Sequence, residues 1–144
     1  MLWIPYTEPV SDFKDHLRTF RSAFEHVRVL FGPVGYGLYM LGSDGELNFD
    51  DATVQRIFGS PEEQADLAGA PDFKRLDGQG WVEKVKQLEW LQDAQVNAFV
   101  GPGPIITDDR PRTEYYLLRT ALMSDKADVS EGMLRQLTAR GGAK

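Results

Sequence analysis

The side chains best suited to binding or catalysis lie in one segment near the end of the chain, residues 104–114. It runs Pro-Ile-Ile-Thr-Asp-Asp-Arg-Pro-Arg-Thr-Glu, so acidic and basic groups alternate within a few positions. Its carboxylates belong to Asp108, Asp109 and Glu114. Carboxylates this close together suit a cationic ligand or a magnesium ion, since both are held by acidic oxygens. They can equally pair with the neighbouring arginines, which would make the segment purely structural.

Local backbone chemistry predicts a turn in the same segment. The side-chain oxygens of Thr107 and Asp108 can accept hydrogen bonds from nearby backbone amides, as in many turns. Pro111 restricts Arg110 to an extended conformation. Residue chemistry alone therefore favours a structural turn over a ligand-facing loop.

Two other sets of residues invite functional interpretations that their context weakens. Gly32, Gly35 and Gly37 resemble a phosphate-binding loop in composition, but such loops lead into a helix, and the residues after Gly37 are strand-like. A hairpin turn is the prediction. His16 and His26 lack a partner at the helical spacing typical of a zinc site. We expect His16 to be a solvated helix residue and His26 to meet the negative end of a helix dipole.

Composition bounds the class of protein. The chain has 144 residues, 42% of them hydrophobic, which is enough for one domain with its own core. Its net charge of −6 opposes binding to phosphate backbones and anionic membranes, so nucleic acid is not an expected partner. No stretch approaches the roughly 20 apolar residues that a membrane-crossing helix needs. The chain contains no cysteine, which excludes disulfides and fits a reducing compartment, so a cytoplasmic location is expected, although a longer parent protein could be membrane-anchored.

The first 45 residues have the pattern of an α/β sheet. Residues 1–6 are apolar and aromatic, which is typical of a buried strand. From Ser11, the predicted cap, apolar residues recur at helical spacing, namely Phe13, Leu17, Phe20 and Phe24. Residues 27–31 and 36–41 are predicted strands with a short connection, which favours an antiparallel hairpin. The crossover helix predicts that the first two strands run parallel.

The remainder, residues 46–144, is predicted to be mostly helical and to form one compact domain with residues 1–45. Asp50 or Asp51 is a candidate cap for one short helix, and Ser60 for the next, with Glu63 placed for a capping box. Trp81 and Trp90 are assigned to a third helix, on opposite sides, so that one of them is expected to be exposed or to reach a partner. Residues 115–118 suit a strand or buried extended segment, and residues 130–140 a final helix.

Several stretches together resemble the C-terminal portion of spermidine-synthase-like proteins, particularly the bacterial members that are fused to membrane segments. The first is Leu2-Trp-Ile-Pro5 with the helix around residues 13–20, followed by Gly35-Tyr-Gly-Leu-Tyr-Met-Leu-Gly-Ser43. The sharper match is Ile105-Ile-Thr-Asp-Asp-Arg-Pro-Arg-Thr-Glu-Tyr115. Together they cover most of the chain.

The resemblance implies a partial methyltransferase-like (Rossmann-like) sheet, in which residues 2–5 form the fifth strand and the hairpin forms the sixth and seventh. Such enzymes transfer an aminopropyl group from decarboxylated S-adenosylmethionine to putrescine. The family's glycine-rich cofactor loop, ribose-binding acidic residue and catalytic aspartate lie in earlier strands that have no counterpart here. We therefore expect no cofactor-binding or catalytic residue in this chain, and inactivity when it is isolated. Asp108, Asp109 and Glu114 are the predicted contacts to a polyamine.

Two alternatives stay open at the level of sequence. The apolar start of the chain looks cut, so the module could be non-catalytic and bury its first strand by self-association or by docking a partner. A metal-dependent enzyme using Asp108, Asp109 and Glu114 is the third hypothesis.

Overall fold

The computed structural model describes residues 1–6, 8–32, 37–69 and 78–109. Within these ranges the protein is mixed α/β, with five helices and four strands. In chain order they are β1 (Leu2–Pro5), α1 (Val10–Ala23), β2 (His26–Phe31), β3 (Gly37–Ser43), α2 (Asp51–Phe58), α3 (Pro61–Ala68), α4 (Gly78–Leu88), β4 (Glu89–Gln92) and α5 (Asp93–Val100). The strand predicted at 115–118 and the helix predicted at 130–140 lie outside the described residues.

The four strands form an open sheet in the order β1-β3-β2-β4, and every neighbouring pair is antiparallel. The predicted hairpin is confirmed, with Val29 of β2 opposite Met40 of β3. β1 and β2 both run opposite to β3, so they share one direction, as the crossover helix predicted. They are not neighbours, however, because β3 lies between them.

One face of the sheet carries the main core. Apolar side chains alternate along the three longest-paired strands, because successive residues of a strand point to opposite faces. Val27 and Val29 of β2 and Leu38 and Met40 of β3 are fully buried beneath α1 and α5. Phe13 and Leu17 of α1, predicted from their helical spacing to share one face, are fully buried against them.

β4 overturns the prediction of a single helix holding Trp81 and Trp90. The helix ends at Leu88, and Glu89–Gln92 pairs with β2. The register shifts by one residue between Val29 and Leu30, which places an extra residue in β4 as a bulge. The bulge lets the consecutive residues Trp90 and Leu91 both join the main core. Neither Trp81 nor Trp90 is exposed.

A second, smaller core is formed by α2, α3 and α4. It centres on buried Val54, Trp81 and Val82, and the rings of Phe58 and Trp81 stack with centroids 4.6 Å apart. Residues 89–100 then return to the sheet and complete the first core. Arg28 of β2 connects the two regions, because it pairs with Glu89 and lies 5.1 Å from the centroid of the Phe49 ring.

Two of the predicted caps are confirmed. Asp50 accepts a hydrogen bond from the amide of Thr53 at 2.7 Å, and Ser60 accepts one from the amide of Glu63 at 3.3 Å. The cap predicted at Ser11 is wrong, since α1 begins at Val10. The hydroxyl of Ser11 donates to Asp12 instead, 3.4 Å away.

Gly42 of β3 offers a test of how tightly α1 packs on the sheet. A Cβ atom there would lie 2.4 Å from Cδ2 of Phe24 and 2.7 Å from Cε1 of Phe20. We expect Gly42→Ala to lower the free energy of unfolding by about 1–2 kcal/mol, because overpacking outweighs the reduced entropy of the unfolded chain. Urea denaturation measures this. The matched control is Gly45→Ala, where the nearest atom would be 3.9 Å away; equal stability of the two variants would contradict the packing.

Candidate functional site

A Gly-Pro-Gly-Pro loop, residues 101–104, connects the end of α5 to the acidic segment, which we define as residues 104–114. Gly101 has φ 60 and ψ −171, a conformation in the positive-φ region that favours glycine. The chain thereby turns sharply away from the helix axis and passes over α1. The sequence explains this turn locally, since glycine permits it and Pro102 and Pro104 restrict the backbone on either side.

Arg18 of α1 holds this loop. Its Nε donates to the carbonyl of Gly101 at 3.2 Å, and its two terminal nitrogens donate to Val100 at 2.9 Å and Pro104 at 2.7 Å. Asp15, one turn earlier, accepts from the same guanidinium at 2.7 Å. The guanidinium thus contacts the helix end and the loop at the same time.

Thr19 extends this attachment. The amide of Ile106 donates to the hydroxyl oxygen of Thr19 at 2.7 Å, and that hydroxyl donates to the carbonyl of Asp15 at 2.7 Å. Just after Thr107, Asp108 and Asp109 lie in a turn, as the side chains of Thr107 and Asp108 predicted. Both aspartates are exposed. Neither forms a hydrogen bond or ion pair with any residue in the described ranges. Their carboxylates therefore face solvent beside α1.

The remainder of the predicted site lies outside the described residues. Glu114 and the two arginines at 110 and 112 belong to it. Among the described residues, no group of three acidic, histidine or cysteine side chains could hold a metal ion.

A second polar cluster lies where β1 leads into α1, and sequence reasoning missed it. Glu8 is 1% exposed, and its Oε1 lies 3.0 Å from Nε2 of His16. The distance is within the range of a salt bridge, but Oε1 of Glu8 has no hydrogen-bond partner among the described residues. Asp12, 6% exposed, lies between them in the sequence. The prediction of a solvated His16 is wrong, since its side chain is only 25% exposed.

Tyr6 adds a phenol at the same end of β1. Burial raises the pKa of Tyr6, and a hydrogen bond with the backbone of Gly32 opposes that shift only in part. The phenol is therefore neutral at physiological pH. It links the end of β1 to the end of β2.

His26 and Asp93 form a third polar pair. The prediction that His26 would meet the end of the first helix is wrong, because α1 ends at Ala23 and His26 begins β2. Nδ1 of His26 lies 3.2 Å from Oδ2 of Asp93, and Oδ1 of Asp93 accepts from the amide of Val27 at 2.7 Å. The pair therefore fastens the first residue of β2 to the first residue of α5.

The pKa of Asp93 reflects this position. Partial burial is the largest single influence and raises the pKa, but the hydrogen bond from the Val27 amide and the nearby His26 together outweigh it, so the pKa is lowered. The carboxylate is ionised at physiological pH. It acts as a structural anchor, because it holds the side chain of His26 and the amide of Val27 at the start of β2.

Comparison with known proteins adds no relative. No family model, no curated protein and no solved structure matches this chain. None of the helices in the described ranges is long and apolar enough to cross a membrane.

The lowered pKa of Asp93 predicts how stability depends on pH. A carboxylate whose folded-state pKa lies below the ordinary value, about 3.9, stabilises the fold above that pH, and this contribution is lost as the pH falls through the folded-state pKa. We expect Asp93→Asn to lower the free energy of unfolding at pH 7 by up to about 1 kcal/mol. The difference from wild type should shrink below about pH 4.

Urea denaturation at several pH values measures this effect. Asp44→Asn is the control, because Asp44 is exposed and has no hydrogen-bond or ion-pair partner in the part of the chain that the structure describes. A destabilisation by Asp93→Asn that stayed constant from pH 7 to strongly acid conditions would contradict the role of the ionised carboxylate.

Proposed function

We propose that this chain is the C-terminal part of a spermidine-synthase-like aminopropyltransferase, in which the acidic segment contacts the amine substrate. Asp108, Asp109 and Glu114 are the residues assigned to the amine. Decarboxylated S-adenosylmethionine would be held by other parts of a longer protein, since the described residues supply no glycine-rich cofactor loop. This chain alone would then be inactive.

The sheet topology supports the proposal. Near its end, a methyltransferase-like sheet has two strands that are joined by a helix and run in the same direction. Its last strand lies between these two and runs in the opposite direction. β1, α1, β2 and β3 follow this order. The resemblance assigned these strands as the fifth, sixth and seventh of such a sheet, and the insertion of β3 between β1 and β2 fits that assignment.

The single observation that carries the assignment of the amine contacts is the exposure of Asp108 and Asp109 on a segment fastened to α1. Within the described ranges these carboxylates have no hydrogen-bond or ion-pair partner, and the neighbouring arginines at 110 and 112 lie outside those ranges. Carboxylates in this position attract a polyamine by charge. Because they are exposed, each contributes modestly, and added salt weakens the attraction.

Spermidine titration tests the assigned contacts. We expect calorimetry at low ionic strength to show weak binding to the wild-type chain, reduced roughly two- to tenfold in the double variant Asp108→Asn/Asp109→Asn. High salt should abolish spermidine binding to the wild type and to the double variant. The exposed Asp44→Asn is the charge-matched control for one lost carboxylate. Binding that is equal in the double variant and the wild type would refute these contacts, whereas tight binding of an S-adenosylmethionine analogue would refute the expected inactivity.

A second function is favoured by the exposed residues of β1. The prediction of a strand is confirmed, but the prediction that it is buried holds only for Ile4: Leu2 and Trp3 are 38% and 49% exposed, and Met1 just before the strand is 80% exposed. Among the described strands, β1 pairs only with β3, so its other edge offers backbone groups to a further strand. We propose as the alternative that β1 mediates self-association or docking of a partner.

Sedimentation distinguishes this alternative. If β1 mediates self-association, the wild-type chain will associate with rising concentration and Trp3→Lys will remain monomeric, because a charge on the edge blocks strand pairing. Ile57→Lys is the matched control, since Ile57 is 40% exposed on α2, outside the sheet. A wild-type chain that stays monomeric at high concentration would exclude self-association.

A further inference from the structure

The carbonyl groups around Arg18 belong to two different structural features. Val100 and Gly101 lie at the end of α5, where backbone carbonyls have no partner within the helix. Pro104 lies three residues farther along, on the far side of the loop. A positive group at the end of a helix is also favoured by the helix dipole. One side chain of α1 therefore completes the end of α5 and closes the loop that follows.

The loop is shaped for a cation with several donors. Pro102 and Pro104 have no amide hydrogen, so the loop offers mainly carbonyl oxygens. A Cβ atom on Gly103 would lie 2.6 Å from Cζ of Arg18, so only glycine lets the backbone lie against the guanidinium. Asp15 fixes the guanidinium from the other side. The side chains of Arg18 and Asp15 are only 14% and 15% exposed, although Gly101 and Pro104, which supply two of the carbonyls, are themselves exposed.

We infer that Arg18 is the residue that positions residues 100–106, and through them Asp108 and Asp109, on α1. The contacts of Arg18 do not depend on the proposed amine-binding function, but the expected effect of Arg18 on spermidine binding rests on it. Arg18 touches no ligand in this scheme. It fixes residues 100–104, and Thr19 then binds Ile106, which leaves one residue, Thr107, before Asp108.

The geometry requires the guanidinium fork rather than a positive charge alone. The Arg18 bonds to three carbonyls come from three different nitrogens of one rigid plane. A lysine ammonium is a single point charge with flexible donors, and it does not span this set of acceptors. Arg18→Lys therefore removes the planar set of donors but keeps the positive charge.

Hydrogen exchange of the full chain, read by mass spectrometry, tests the inference. In Arg18→Lys we expect the hydrogen-bonded amides of residues 101–109, those of Gly101 and Ile106, to exchange at least tenfold faster than in wild type, while peptides from α2 and α3 keep their rates. Arg18→Ala should behave in the same way, and millimolar guanidinium should restore slow exchange in it but not in Arg18→Lys. Arg56→Lys is the control, an exposed arginine in the last turn of α2.

Spermidine titration of the same variants separates this inference from the proposed function. Faster exchange together with at least twofold weaker spermidine binding in Arg18→Lys supports both. If exchange is faster in Arg18→Lys but the wild-type protein does not bind spermidine, the positioning role is supported and the amine contacts are refuted. Unchanged exchange at residues 101–109 in Arg18→Lys overturns the inference, whatever the titration shows.

Discussion

The packing of Trp90 among three phenylalanines is the contact on which the rest of the structure depends. The rings of Phe13, Phe31 and Phe99 lie 5.9, 5.6 and 5.3 Å from the Trp90 ring, centroid to centroid. They come from α1, β2 and α5, so the indole joins both helices to the sheet. Each such aromatic pair contributes roughly 0.5–1.5 kcal/mol beyond its buried area. Because α1 is held here, Arg18 and Thr19 are held where the loop passes over them.

The parts of the fold that sequence predicts are those with local causes. The helix around Phe13 and Leu17 follows from apolar spacing, and the caps at Asp50 and Ser60 follow from their short polar side chains. β4 was mistaken for helix because residues 81–91 carry apolar side chains at helical spacing. Its strand conformation depends on pairing with β2, some sixty residues earlier (Arg28 opposite Gln92), and strand formation is governed by such neighbours more than by intrinsic preference.

The candidate site divides in the same way. The turn at Asp108 and Asp109 was predictable because turn chemistry acts within a few residues. The role of Arg18 was not, since its acceptors are 82 to 86 residues away. The only sequence signal was the loop of residues 101–104. Its glycines and prolines indicate an unusual backbone, but they do not show which side chain binds it. The pairing of buried Glu8 with half-buried His16 was not predictable, because acidic residues are seldom fully buried and composition argues against a buried Glu8.

The position of β3 also determines the order in which the sheet can assemble. β1 is made before β3, its neighbour in the described sheet, so within that sheet it stays unpaired until residue 40 has been synthesised. The hairpin of β2 and β3 closes locally, on a timescale of about 1–10 μs, whereas β1 must close a longer loop that contains all of α1. β1 is thus available to chaperones, or to the same strand of another nascent chain, before the strand that pairs with it exists.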